Sequence, residues 1–425
     1  MLQFRRQSCN WHRVRVGGWP GRVAIRRMAP VARIASVAIG IVRHVRWGPC
    51  LGAGLLVLLT GCGSGGLTTL GSEQTQAIGF SSSFYHCPDA GTSTAPPING
   101  VVLGPKGGHA YAICGGHSLV AIDLRTSKPV YSVDLGETGT GLVVSQDASV
   151  VYVEAVDEVA HYDHGLGLIK MTNCEIVAVS ARTHTVIGTV RMGQSGGSGM
   201  ALGPGGRHLY VSGLNSIYVI DTATMTVSRK LRVFPKWWDE FAVSPNGRAL
   251  YAVSGTENGP GPSNDSYIAM IDLADGKVIK VIADSAGPSG VAVSPNGRRV
   301  YVTYSAGIKN LIFPWVKVFS SQGALLHTGR IGITPTGFVI AGKSDIGYVA
   351  MDTYGDDTDV GNKLGVFDMK TLQLLGTIPY SADPYGTGSL SMSADGKRLA
   401  VLGQVIGFGL SPTKFQVFDL AHAGR

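Results

Sequence analysis

The stretch GVAVSPNGRRVYV, residues 290–302, spells two short strands folded about a turn. Its first half, Gly290 to Ser294, is apolar and β-branched and leaves no room for a helical stripe. Pro295-Asn296-Gly297 supplies a fixed φ, an Asx-type turn former and a residue tolerant of positive φ. Arg299-Val300-Tyr301-Val302 then resumes a strand with bulky, β-favouring side chains. One hairpin is not stable alone in water, so this one needs neighbours.

The chain supplies them by repetition. Related hairpins begin at Gly100, Gly141, Gly199, Glu240, Gly290, Gly337 and Ser389. In each, the Tyr position (Ala400 in the last) follows 11 residues later. A second hairpin comes after every copy, as in IYVIDTATMTV or LGVFDMKTLQL, where an apolar strand ends in Asp or Ser before a turn. Four strands, a to d, thus fill a repeat of roughly 46 residues, the mark of a β-propeller. The predicted fold is all-β: a seven-bladed β-propeller of four-stranded antiparallel blades, packed in a ring that buries faces no blade covers alone.

Composition agrees with an exported, turn-rich protein: 60 of 425 residues are Gly, and only 15% are charged. The formal net charge of +8 misleads, because residues 1–61 hold ten Arg, no Lys and no acid. The rest carries 26 bases against 28 acids, which removes the main support for a nucleic-acid partner. Arg43 and Arg46 precede the apolar run 51–59 and then Thr60-Gly61-Cys62. A short apolar segment behind a basic one is a secretory signal, too short for a membrane span. Leu-Thr-Gly-Cys resembles the bacterial lipobox, whose Cys is lipidated and becomes the mature N-terminus. Residues 1–61 are therefore read as a basic leader and lipoprotein signal peptide, with Met28 a possible true start, and 62–73 as a flexible Gly/Ser/Thr tether. Residues 74–425 form the propeller, held to the outer face of a bacterial membrane by Cys62.

The Ser-Pro-Asn-Gly-Arg…Val-Tyr-Val and Ile-Asp-Thr-Ala-Thr (220–224) signatures resemble the YVTN-type, YncE-like β-propeller family over residues 100–421. The resemblance implies the fold. It says little of function, since such propellers serve as surface-layer, adhesion or binding modules and occasionally as enzymes. The second copy departs from the pattern with Gln146-Asp147-Ala148, and the last lacks the Tyr.

Only the b-to-c interval varies much, from 11 residues in the third copy to 28 in the second. The b–c and d–a loops emerge on one face of the disc, so the extra length marks that side as the working face. Candidate contact residues there are adjacent Trp237 and Trp238, Trp315, and His161 and His164. His161, Asp163 and His164 in one polar loop could ligate a metal, but a solvated loop is the commoner outcome. Asp352, Asp356, Asp357 and Asp359 could take Ca²⁺ or another divalent cation, without EF-hand spacing or a closing Glu. No cofactor is expected otherwise.

Nucleophile-elbow, phosphate-loop, His-Glu-x-x-His and Cys-x-x-Cys motifs are absent. The channel-lining a-strands read as Gly, Val, Ala, Leu, Met and Phe, which argues against acid–base work at the centre. The expected function is a non-catalytic envelope scaffold, monomeric, binding a protein, polysaccharide or small molecule; a lactonase-like hydrolase or metal-dependent lyase is the alternative. Of the three Cys beyond Cys62, the expected disulfide is Cys87–Cys114, which staples the N-terminal segment to the first blade. The last copy has no d-strand, so the segment 75–82 is expected to pair with 415–420 and complete the seventh blade.

Overall fold

The structure, a computed structural model, describes residues 80–420 except 89–97, 157–160, 164–167, 196–198, 214–215, 234–237, 255–265, 285–286, 305–314, 332–334, 343, 352–362, 381–386 and 404–413. The described residues form seven antiparallel sheets and no helix. Blade five shows the plan: strands Pro288–Val293, Arg299–Tyr304, Trp315–Ser320 and Leu325–Arg330 pair in chain order, a to d. Blade two adds a fifth, short strand.

The opening hairpin folds as its residues dictate. The Ser294 hydroxyl donates to Asn296 Oδ1 (2.8 Å), which also accepts the Arg298 N–H (3.0 Å), and Gly297 adopts a φ of 70°. The repeated Tyr lies buried on strand b in six blades, and in blades four and five its hydroxyl crosses the seam. Tyr301 donates to Met369 O at 2.9 Å, in the next blade. Burial raises the pKa of this phenol, so it stays a donor.

Among the described residues the core is divided. Seven apolar clusters each join two neighbouring blades; Tyr301, Val316 and Val318 of blade five, for example, pack on Phe338, Val349 and Phe367 of blade six. Each blade is stable only through its neighbours, so closing the ring adds a whole interface.

Closure uses the N-terminal segment, at a register different from the expected one. The fourth strand of blade seven is Ser81–His86, running antiparallel to Lys414–Asp419, and overlaps the expected 75–82 only at Ser81 and Ser82. Residues 75–79 of the expected segment lie outside the described residues; the strand-like core 77–80 favours 75–82 in the sequence, but an outermost strand needs few apolar residues. This one is exposed except at Tyr85, which stacks on Phe415 (5.4 Å between ring centres) and donates to Leu124 O (2.7 Å) in blade one. Cys87 follows and is disulfide-bonded to Cys114, their Cα atoms 5.8 Å apart, while Cys174 is buried outside the disulfide. Closing a loop of 27 residues is worth about 3–4 kcal/mol in chain entropy. A Cys87→Ser/Cys114→Ser variant is expected to lose about that much unfolding free energy in urea, and wild type in reductant should match it. Identical urea midpoints for oxidised and reduced wild type would show that the bridge contributes nothing.

Candidate functional site

The two faces of the disc differ in construction. Every a–b turn has five residues, from 104–108 in blade one to 393–397 in blade seven, and c–d turns have four or five. On the opposite face the b–c connections run from 214–215 in blade three and 115–117 in blade one to 255–266, 305–314, 352–362 and 404–413 in blades four to seven.

The residues expected to work on the loop face do not assemble as one site. Trp238 is 0% exposed, packed with Phe241 and Tyr210 in the seam between blades three and four, with its backbone N–H donating to Ser212 Oγ (3.0 Å). It is a core residue rather than an exposed contact, because the seam is apolar and takes an indole whole. Trp315 begins strand c of blade five, opposite Arg330, instead of lying in a loop. His161 and Asp163 stand on the short strand His161–Asp163, which pairs with the start of Leu168–Ser180, so the polar loop is partly a hairpin. Trp237, His164, Asp352, Asp356, Asp357 and Asp359 lie outside the described residues, as does Cys62. Among the described residues, no three His, Cys, Asp or Glu side chains gather as a metal site would need. At this face the Asp284 carboxylate accepts from both Tyr304 (2.7 Å) and Lys317 (2.6 Å), tying blade four to blade five.

The inner ring is less apolar than expected. Glu240 occupies the position that is Gly in five copies, and its carboxyl reaches the inner strand of blade five. There Oε2 accepts the Val291 N–H at 3.2 Å and lies close above Gly290. The residue keeps some surface exposed, but its carboxyl is enclosed, and burial, ahead of the nearby Asp239 charge, pushes it up to about 8. An analogous tie joins blades seven and one, where Leu103 N–H donates to Ser391 Oγ (2.9 Å). In blade two, the Thr140 hydroxyl bonds Glu154 Oε2 (3.3 Å), and Glu154 is buried. Aligning the copies sets Glu240 beside Ser389 as the two departures from a Gly position, and only Glu240 is charged.

A groove of about 530 Å³ opens on the tight-turn face, at the seam between blades seven and one. Blade one contributes Lys106, His109, Asp123 and Arg125. Blade seven contributes Asp395, Lys397, Arg398 and Asp419. Arg398 crosses the seam to Gly107 O, and Ala394 N–H donates to Pro105 O at 3.0 Å. The Arg125 N–H chiefly holds Asp123 below the usual carboxylate range. Burial raises Asp395, but the Ser393 hydroxyl and Lys397 N–H outweigh it and keep it low.

No protein-family model matches the chain, and no curated protein matches it. Among solved structures it is similar to hydrazine synthase of Kuenenia stuttgartiensis, with 19% identity and a TM-score of 0.57 over 75% of this chain and 96% of that one. At that identity the likeness is one of fold alone.

Proposed function

We propose that this chain is a YVTN-type propeller lipoprotein of the bacterial envelope, anchored through Cys62 and binding an envelope ligand on its long-loop face without chemistry of its own. One observation carries the reading. Turns of four or five residues recur around one face, whereas the other varies from two residues (214–215) to twelve (255–266) between equally regular strands. A rigid scaffold with variation confined to one side is how recognition surfaces are built. Replacing 255–266 with the two residues Leu214-Asn215 should leave the melting temperature nearly unchanged and abolish retention of the protein on immobilised envelope extract. Equal retention of both proteins would remove the loop face as the binding surface.

The anchor has its own test. The wild-type protein should fractionate with membranes, and Cys62→Ser should move it to the soluble exported fraction with the propeller still folded. Membrane association that survives Cys62→Ser would refute lipidation at this residue.

A propeller-type hydrolase or lyase is favoured by one feature, the enclosed Glu240 carboxyl, since perturbed acids collect at active sites. Its oxygen is engaged by the Val291 N–H, however, which suits an inter-blade tie better than a proton donor. Stoichiometric metal surviving dialysis of the purified protein would favour the enzyme.

A further inference from the structure

We propose that the groove between blades seven and one binds a small ligand carrying a phosphate group, at a site separate from the loop face. Its volume, about 530 Å³, is that of a small-molecule site. Four Lys or Arg and one His line it against three Asp, and each Asp is already engaged. Asp123 Oδ1 accepts the N–H groups of Arg125 (2.7 Å) and Thr126 (3.2 Å). Asp395 Oδ1 takes the Ser393 hydroxyl (2.7 Å) and the Lys397 N–H (3.1 Å), and Asp419 pairs with Arg398 at 3.9 Å. Lys106 and Lys397 form no ion pair among the described residues, and they stand on opposite walls.

The repeat sets the Lys106 turn apart from its four capped counterparts. In blades two, four, five and seven the third residue after strand a is an Asp or Asn. Its side chain accepts the hydroxyl of the Ser two positions earlier, as at Asp147, Asn246, Asn296 and Asp395. Blade one has Gly104 and Lys106 at these two places and forgoes that capping interaction; blades three (Gly203, Gly205) and six (Ala341, Lys343) also lack the pair. A cation thus replaces a turn-stabilising acceptor where ring closure sets it across from Lys397. Ammonium groups from two walls suit a multiply charged anion, and a bound phosphate would bridge the closing seam.

The test is titration calorimetry and thermal melting of the full chain with inorganic pyrophosphate and with glycerol phosphate, at constant ionic strength. Saturable binding with a rising melting temperature is expected, because a ligand bound only to the folded ring stabilises it. The Lys106→Ala/Lys397→Ala variant should melt like wild type without ligand and bind roughly tenfold or more weakly. Lys106→Arg/Lys397→Arg should keep binding. Absence of saturable binding, or unchanged affinity in the double Ala variant, would overturn the proposal. Vesicles of anionic phospholipid that displace pyrophosphate would identify a lipid headgroup as the source; displacement by glycerol phosphate alone would point to a soluble ester.

Discussion

Removal of residues 63–86 will open the seventh blade and produce the largest loss of stability of any change considered for this chain. The deletion strips six paired residues from Lys414–Asp419 and takes away Tyr85, the residue that joins blade seven to the c–d turn of blade one. Tyr85→Ala alone should cost about 3–5 kcal/mol, from the lost stack on Phe415 and the lost bond to Leu124 O. For a domain this long that corresponds to roughly 4–7 °C in melting temperature, and the deletion should exceed it. Trypsin gives a second reading, because Lys414 is paired with His86 and would become the end of a bare edge strand. Rapid cleavage after Lys414 in the truncated protein, and slow cleavage in the intact one, is expected. A truncated chain that melts and resists trypsin like the full one would mean that blade packing alone holds the ring.

What the sequence makes legible is whatever the repeat states in six or seven copies. Strand order, five-residue turns and the buried Tyr follow from alternation and turn chemistry, which are local and recur. The closing strand was legible as a need, since the last copy lacks strand d. Its register was not, because an outer strand exposes most of its side chains and so carries almost no pattern; only Tyr85 marks it. Trp238 misled for the opposite reason. A pair of Trp in a loop looks like a contact surface, yet the seam accommodates one of them entirely. The groove depends on residues nearly 300 positions apart, such as Gly107 and Arg398 (separation 291), which meet only once the ring is closed. Its signal lay in departures from the commonest residue, a Lys where four of the other six turns carry Asp or Asn, and Glu240 is a departure of the same kind.

Glu240→Gln should therefore stabilise the protein in alkaline solution and leave it unchanged in acid. The wild-type carboxyl titrates near 8 in the folded ring, against an ordinary value of 4.5, because it is enclosed beside Gly290 and close to Asp239. With the folded pKa raised, the unfolded chain loses this proton first as pH rises. The neutral carboxyl thus contributes its full stability below about pH 4.5, and that contribution drains away between pH 4.5 and 8. A shift from 4.5 to about 8 is worth on the order of 5 kcal/mol at its limit. Gln keeps an oxygen to accept the Val291 N–H, carries no ionisable proton and should flatten that part of the profile. Urea unfolding of both proteins from pH 4.5 to 9 isolates the effect, since every other group is common to the two. The variant's advantage should grow steadily through this window and level off above pH 8. Parallel curves would show instead that Glu240 ionises freely in the folded ring, with its carboxyl turned to solvent and not to blade five.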